Sequence, residues 1–431
     1  MSLRNRLPFS ASCLALLALA VGCGDDGGLY EGESATAGDS AASVSGDGGE
    51  GGDGGSGGED PSGGEGDSAP GDDGADSGAA EGGEGGEGGE VPQPGQLTAG
   101  EWRDLDHWQF WLDLLQQEAW SGMAARWDFA TQSRYSVVVE SEVGKVVDAS
   151  VTLLAGETVV WSARTDVHGE AELFAGLFAG SEGPYSLKVT SAGSSEVVEA
   201  VEPSWEAPIV VDVQSAEAPS PVLDLMFVID TTGSMGDELS YLQAELADVL
   251  DRVRAKVGAD VKLRVSVNFY RDDGDEYVVR PFEFTEDVDQ AIDDLNAQSA
   301  DGGGDWPEAI DAAMVDAIDN HAWSESAIAR LCFVVLDAPP HEGQEPLARV
   351  QESVRKAATK GVRVIPLAAS GVDKDLEFLL RFQAIATGGT YTFLTNDSGI
   401  GGEHIEPTIG DYQVEILNDL LVRVISGALV D

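Results

Sequence analysis

The stretch LMFVIDTTGSMG at residues 225–236 places an unbroken apolar run directly before a polar turn that contains glycine. Apolar runs of this kind are typical of strands that are buried on both faces of a parallel sheet. The turn carries Asp230, Thr232 and Ser234, which supply one carboxylate and two hydroxyls. Because ligands of parallel α/β sheets bind beyond the carboxyl ends of the strands, this stretch predicts both a fold class and the position of a site.

Strands and helices alternate from this stretch onward. Further strands are predicted at residues 261–269, 277–284, 331–336, 362–368 and 391–394. Helices are predicted at residues 238–257, 288–295, 308–318 and 347–359, with a C-terminal helix that carries Val414, Leu417, Leu421 and Val424. This order predicts an α/β doubly wound, Rossmann-like domain over residues 222–431, with helices on both faces of a mostly parallel sheet.

Two further loops bring acidic residues to the same predicted edge of the sheet. The sequence GGGDWPE at residues 302–308 contains Asp305, and DAPPH at residues 337–341 begins with Asp337. Oxygen ligands that converge from three loops suit Mg²⁺, Mn²⁺ or Ca²⁺, whereas Zn²⁺ prefers His and Cys. The candidate metal ligands are Asp230, Thr232, Ser234, Asp305 and Asp337.

Each motif also has a purely structural interpretation. Ser234 is followed three residues later by Asp237, which is the spacing of a helix N-cap and its capping-box partner. Asp305 and Glu308 have the same spacing. Asp337 can simply begin a proline turn. The placement of all three motifs after predicted strands nevertheless favours one shared site.

Residues 222–431 resemble a von Willebrand factor type A (VWA) domain. Asp230-x-Thr232-x-Ser234 is similar to the first loop of that family's metal-ion-dependent adhesion site (MIDAS). Asp337 matches the third-loop aspartate of the family, while Asp305 stands where the second loop usually supplies threonine. The sequence GGGDWPE followed by DAPPH is similar to a bacterial and eukaryotic subgroup. The resemblance leaves open whether Asp305 binds metal directly, binds it through water, or only caps its helix.

The resemblance implies binding rather than catalysis. In this family the cation keeps an open coordination position, which a carboxylate from a partner protein completes. We therefore expect a Mg²⁺ site, or a Mn²⁺ or Ca²⁺ site, that captures a protein ligand whose identity the sequence does not give. The alternative is a structural cell-envelope protein in which the metal only stabilises the fold.

A hydrolase is a weaker hypothesis. Ser234 lies on a predicted strand-turn-helix with Asp337 and His341 as conceivable partners, which is superficially like a nucleophile elbow. However, Thr232 stands where that motif needs its first glycine. We therefore expect that the protein is not an enzyme.

The N-terminus reads as a lipoprotein signal peptide over residues 1–22. Arg4 and Arg6 precede an apolar run from Cys13 to Val21 that is too short to span a membrane. The sequence that ends at Cys23, AVGC, resembles the lipobox of bacterial lipoproteins, which implies that Cys23 carries the lipid. We expect export to a bacterial cell envelope and a lipid anchor in the outer membrane or at the cell surface. The alternative is an ordinary secretory signal that is cleaved nearby.

Residues 23–99 have the composition of a disordered tether. Residues 24–99 hold 27 of the 54 glycines and 19 acidic residues but no Lys or Arg, so they offer little apolar surface to bury. The whole chain has a formal net charge of −54. Such a charge excludes binding to nucleic acid through a basic face.

Two smaller units precede the α/β domain. Residues 100–131 carry five of the nine tryptophans, and the apolar spacing from Leu105 to Ala119 predicts one amphipathic helix. This helix either packs on a neighbouring domain or presents an exposed aromatic stripe. Residues 132–215 alternate in the manner of short strands and predict a β-sandwich. The sequences VDASVTL at residues 147–153 and TDVHGEAEL at residues 165–173 resemble transthyretin-like domains first described beside carboxypeptidases, which implies a supporting module.

Overall fold

The computed structural model describes residues 91–131, 133–178, 182–304 and 306–429. The predicted signal peptide, the predicted lipid attachment at Cys23 and the candidate ligand Asp305 lie outside these ranges, as does the predicted tether up to residue 90. Within the described ranges no helix combines the length and the apolar character needed to cross a membrane.

The described residues form three β-sheets and a set of helices. The strands are β1 (Thr98–Trp102), β2 (Arg134–Ser141), β3 (Gly144–Lys145), β4 (Ser150–Ala155), β5 (Thr158–Arg164), β6 (Glu170–Phe174), β7 (Tyr185–Ser191), β8 (Ser194–Val201), β9 (Ser204–Asp212), β10 (Val222–Asp230), β11 (Lys262–Tyr270), β12 (Val279–Arg280), β13 (Ala329–Leu336), β14 (Val362–Ala368), β15 (Tyr391–Leu394) and β16 (Glu415–Ile416). The α-helices are α1 (Trp108–Leu114), α2 (Glu118–Arg126), α3 (Leu239–Val257), α4 (Val288–Asn296), α5 (Ile310–Val315), α6 (Gln344–Lys360), α7 (Lys374–Thr387) and α8 (Leu417–Gly427). The short 3₁₀ segment Gly233–Asp237 leads into α3, and the π-helical turn Asp316–Asn320 follows α5.

The largest sheet has the strand order β12-β11-β10-β13-β14-β15-β1-β16. Its strands β11, β10, β13, β14 and β15 are parallel neighbours, whereas β12 and β1 run antiparallel to the strands they contact. Strand β13 is buried along its whole length, which explains the continuous apolar run at residues 331–336. The α/β class predicted for this part of the chain is confirmed. The chain leaves β10 for β11 on one side and returns to β13 on the other, so β10 and β13 flank a topological switch point, where such folds bind ligands.

Strand β1 corrects the predicted domain boundaries. Residues 98–102 were expected to end a tether and begin a helical segment, but they pair with both β15 and β16 in the largest sheet. A Cβ atom on Gly100 would lie 2.4 Å from the Phe393 ring, so glycine allows the close approach. The buried Glu245 carboxylate accepts hydrogen bonds at 2.7–2.9 Å from three successive backbone N–H groups, those of Gly95, Gln96 and Leu97. The α/β unit therefore needs residues far upstream of 222.

The tryptophan-rich segment forms two helices rather than one. The backbone of Gln117 is extended, with ψ 139°, and it separates α1 from α2. All five tryptophans are buried, with Trp127 the most exposed at 8%. Trp111 stacks on Phe378 of α7 at a ring-centroid distance of 5.5 Å. The interpretation that this segment packs on a neighbouring domain is therefore correct, and the exposed aromatic stripe is wrong.

Helix α7 was not predicted. Every residue from Leu376 to Thr387 is buried, so the helix has no polar face and shows no amphipathic period. The predicted edge strand at 277–284 shrinks to β12 because Pro281 has no N–H to donate. Beyond β12, side chains of β11 bond to this segment in place of backbone-to-backbone hydrogen bonds. Asn268 Oδ1 accepts a hydrogen bond from the Phe282 N–H, and Ser266 Oγ donates one to the Phe282 carbonyl.

Residues 134–212 form two four-stranded sheets. One has the order β3-β2-β6 with β9 parallel to β2, and the other has the order β5-β4-β7-β8. Apolar side chains of both sheets, such as Val139 and Leu153, belong to one buried cluster. Asp148, which follows β3, forms an ion pair with Arg330 of β13 at 2.9 Å. The likeness to transthyretin-like domains stays a prediction.

Candidate metal centre

The candidate centre lies at the carboxyl edge of the largest sheet, beside its switch point. Strand β10 ends at Asp230, and the 3₁₀ segment Gly233–Asp237 turns the chain from that strand into α3. Asp337 follows β13 directly. The loop at residues 302–308 packs against the first turn, because the Gly233 N–H donates to the Gly302 carbonyl at 3.2 Å. The fold therefore brings together the loops that the sequence suggested.

The first loop holds one carboxylate in a fixed orientation. Asp230 is fully buried, and its Oδ1 accepts hydrogen bonds from the Thr232 N–H at 2.8 Å and from the Thr232 hydroxyl at 2.7 Å. The hydroxyl oxygens of Thr232 and Ser234 lie 3.1 Å apart. The second oxygen of Asp230, Oδ2, is buried without a hydrogen-bond partner. The turn thus fixes the carboxylate and leaves one oxygen to be satisfied.

Asp337 presents a second buried carboxylate. It is 5% exposed, and its Oδ1 also has no hydrogen-bond partner. Burial and then the charge of Asp337 raise the pKa of Asp230 to about 7. Burial raises the pKa of Asp337 to about 6, although a hydrogen bond from Ser234 opposes the rise. Two carboxylates with raised pKa values and unsatisfied oxygens form a site where a cation would be strongly favoured.

The second loop contributes a residue that was read only as a capping partner. Glu308 is 3% exposed, and its Oε2 has no hydrogen-bond partner. Burial, followed by the charges of Asp230 and Asp272, raises the pKa of Glu308 to about 9. Asp305, in the same loop, lies in the gap between the described ranges. The GGGDWPE motif could have pointed to Glu308, but the capping pattern already gave that residue a local role.

An outer group of acidic residues and a histidine surrounds this centre. His341 Nε2 lies 2.6 Å from Asp272 Oδ1. Asp275 Oδ2 accepts hydrogen bonds from the backbone N–H groups of Asp272 and Gly303. The turn after β11 therefore supports the 302–308 loop.

The residues present fit a hard divalent cation. Across the described residues, no three His, Cys, Asp or Glu side chains lie close enough to hold one metal ion by themselves. The described donors are instead the two carboxylates of Asp230 and Asp337 with the two hydroxyls of Thr232 and Ser234. Oxygen donors of this kind suit Mg²⁺, Mn²⁺ or Ca²⁺. The two buried oxygens without partners are the atoms that such a cation would satisfy.

The raised pKa of Asp230 predicts how stability depends on pH without metal. In the unfolded chain this carboxyl ionises near its ordinary value of 3.8, while in the folded protein it keeps its proton up to about pH 7. The folded state therefore binds the proton more tightly, so stability falls as pH rises from about 4 to about 7 and then levels off. Urea denaturation in chelator should show that the free energy of unfolding falls less steeply with rising pH in Asp230→Asn than in the wild type.

The matched control for this measurement is Asp260→Asn. Asp260 is exposed and precedes β11, at the opposite edge of the sheet. The free energy of unfolding of Asp260→Asn should depend on pH in the same way as that of the wild type. Equal slopes in all three proteins would show that Asp230 ionises normally in the folded chain.

Comparison with known proteins assigns part of the chain to a family. Residues 224–392 match the family model of the von Willebrand factor A domain, so the chain carries a VWA domain there, as the sequence predicted. An ariadne-like RING finger protein, R811 of Acanthamoeba polyphaga mimivirus, is 30% identical over 123 residues, which are 28% of this chain and 11% of that protein. The chain thus spans about a tenth of the length of this curated relative. The crystal structure of the conserved hypothetical protein BatB from Bacteroides thetaiotaomicron is 17% identical with a TM-score of 0.34, and the match covers 48% of this chain and 98% of that one.

Proposed function

We propose that the VWA domain of this chain binds a divalent cation and, through it, a protein ligand. VWA domains generally mediate protein–protein interactions, and the edge of the sheet offers the chemistry for a cation. The observation that carries the proposal is the pair of buried carboxylates, Asp230 and Asp337, each with an oxygen that lacks a hydrogen-bond partner. The hydroxyls of Thr232 and Ser234 lie beside them, and Asp305 belongs to the loop that packs on this turn.

The chain's own residues would hold and orient the cation. Thr232 fixes Asp230 through two hydrogen bonds, so the carboxylate is oriented before any cation arrives. Ser234 and Asp337 come from the two loops that flank the switch point. A bound Mg²⁺, Mn²⁺ or Ca²⁺ would supply an electrophilic centre for a carboxylate oxygen of the partner. Nothing in this arrangement requires a reaction, and we propose a binding role without catalysis.

A groove next to the centre supports capture of a protein. It encloses about 500 Å³ and is lined by Trp127, Trp306, Pro340 and Leu347, among others. Trp306 is 47% exposed, although it is large and apolar. The groove shares the 302–308 and 337–341 loops with the candidate centre. A ligand bound at the cation could therefore bury apolar surface beside it.

The proposal includes the setting that the N-terminal sequence suggested. A lipid on Cys23 and a glycine-rich acidic tether would display the binding domain on a bacterial cell envelope. Palmitate labelling of the expressed chain, compared with Cys23→Ser, tests the anchor directly. Labelling that persists in Cys23→Ser would overturn it.

The cation site is tested by thermal denaturation of the full chain. A cation that binds only the folded state adds about 2.7 kcal/mol at one hundred times its Kd. This corresponds to a rise in Tm of about 4 °C if the described residues unfold as one unit. We expect the rise with Mg²⁺, Mn²⁺ or Ca²⁺ relative to chelator. It should be lost in Asp230→Asn and kept in Asp260→Asn.

Absence of any shift in the wild type would contradict the cation site. A cation-dependent shift without any chelator-sensitive capture of a partner would favour the structural alternative, in which the cation only stabilises the fold. Chelator-sensitive capture of an envelope protein, lost in Asp230→Asn and kept in Asp260→Asn, would separate the adhesive role from that alternative.

A further inference from the structure

Glu308 is a buried carboxylate with one oxygen that lacks a hydrogen-bond partner. Its backbone is fixed, because its N–H donates to the Pro339 carbonyl at 2.8 Å and it forms a parallel bridge with Pro340. The side chain is buried, and Oε2 accepts no hydrogen bond. A capping box uses at most one oxygen of this carboxylate, so it does not account for the unsatisfied Oε2. The local interpretation from sequence therefore leaves that oxygen unexplained.

The Glu308 carboxylate lies beside the first metal loop. A Cβ atom on Gly303 would sit 2.9 Å from Glu308 Oε1 and 3.4 Å from the Thr232 Cβ, so the carboxylate and Thr232 flank the same glycine. Gly303 has a φ of +72°, which disfavours any other residue there. The loop thus brings Glu308 against the turn that carries Asp230.

The surroundings of Glu308 are acidic. The charges that act on it most strongly are those of Asp230, Asp272, Asp337 and Asp275, and no cationic side chain is among them. Burial of an ionised carboxylate among like charges is unfavourable unless a proton or a bound cation compensates it. Three buried carboxylate oxygens without partners, on Asp230, Asp337 and Glu308, therefore point to the same missing positive charge.

We propose that Glu308 is a third carboxylate of the cation centre and acts on the cation through an intervening water. The inference rests on the proposed function, because it requires that a cation binds at Asp230 and Asp337. Among the described residues no three acidic side chains lie close enough to bind one ion directly, so Asp230, Asp337 and Glu308 do not all contact it. We place the water at Glu308 because the hydroxyl donors Thr232 and Ser234 lie beside the two aspartates. Mg²⁺ keeps several of its waters when it binds to proteins, whereas Ca²⁺ takes most of its ligands directly. Glu308 therefore favours Mg²⁺ over Ca²⁺.

The test is calorimetric titration of the full chain with MgCl₂ and with CaCl₂. Removal of an outer carboxylate typically weakens metal affinity 10- to 100-fold, so we expect Glu308→Gln to bind Mg²⁺ about 10-fold or more weakly than the wild type. The loss should be smaller for Ca²⁺. Glu308→Asp keeps the charge and should retain more affinity than Glu308→Gln.

The matched control is Glu342→Gln, which removes the same charge from an exposed position five residues after Asp337. It should bind Mg²⁺ like the wild type because water screens its charge. The Tm of Glu308→Gln in chelator near pH 7 should equal that of the wild type, because Glu308 is protonated there and glutamine is its neutral isostere. A lower Tm in chelator with unchanged Mg²⁺ affinity would make Glu308 a structural residue and overturn the inference.

The titrations separate this inference from the proposed function. If the wild type binds Mg²⁺ and Glu308→Gln binds it equally well, only the role of Glu308 fails. If the wild type binds no divalent cation and matches Asp230→Asn, the cation centre itself fails and the role of Glu308 fails with it.

Discussion

Replacement of Arg381 by methionine is expected to lower the free energy of unfolding by about 3–5 kcal/mol, because it leaves the buried Asp104 carboxylate without a counter-charge and removes one of the two cations that pair with Glu377. Arg381 is fully buried in α7. It forms ion pairs with Asp104 at 2.6 Å and with Glu377 at 3.0 Å. Its guanidinium also lies over the rings of Trp111 and Trp120, at 5.2 and 5.0 Å from their centroids. The residue therefore joins the tryptophan-rich segment to the VWA domain.

The matched control is Arg423→Met. Arg423 also contacts two carboxylates, those of Glu101 and Glu415, but its side chain is 50% exposed. Exposed ion pairs contribute about 0–1 kcal/mol, so this variant should stay close to the wild type. Urea denaturation in the same buffer measures both variants. Similar losses for Arg381→Met and Arg423→Met would show that burial does not set the strength of the Arg381 cluster.

The second large effect is expected when β1 is removed. A chain that begins at residue 103 should be less stable than one that begins at residue 91 by about 5 kcal/mol, because it exposes the surface under Leu97, Ala99 and Trp102. It also leaves the buried Glu245 carboxylate without the three N–H groups that it accepts from. We expect aggregation or a broad unfolding transition, since β15 becomes an uncovered edge.

The control for this truncation is a chain that begins at residue 93. It retains β1 and the three amide N–H groups that Glu245 binds, so its Tm should equal that of the chain that begins at residue 91. If the chain that begins at residue 103 unfolds at the same Tm as these two, β1 is dispensable and the domain boundary at 222 is adequate after all.

Sequence patterns predicted the strands of the largest sheet whose two faces are both buried in the apolar core. Strands β10, β13 and β14 are largely buried on both faces, so each contains an unbroken apolar run, at residues 225–229, 331–336 and 364–368. Helix α7 is equally buried, but its sequence includes Lys374, Glu377 and Arg381, and burial on every side erases the helical period. Those charges are tolerated because Glu377 pairs with Lys374 and Arg381 within the helix, and Arg381 also pairs with Asp104.

In the candidate centre, too, some residues could be identified from the sequence and others could not. Asp230, Thr232, Ser234 and Asp337 could be predicted because each follows the end of an apolar strand, where topology dictates a common edge. Glu308 could not be assigned, because its spacing from Asp305 already satisfied a capping pattern. Strand β1 was missed because Thr98–Trp102 is short, contains a glycine and an acidic residue, and depends on partners about 290 residues away in sequence.

The direction of β1 has a mechanical consequence. Thr98 begins β1 near Leu394, at the same edge of the sheet as Asp230, because β1 runs antiparallel to β15. Four strand spacings of about 4.8 Å separate β1 from β10. Tension between a captured ligand and the chain before β1 would thus act across the strands, a geometry in which ladder bonds break one at a time. The hydrogen bonds from Gly95, Gln96 and Leu97 to Glu245 would bear that tension first. Glu245 lies on α3, so the force would then act on the helix that follows the candidate cation loop.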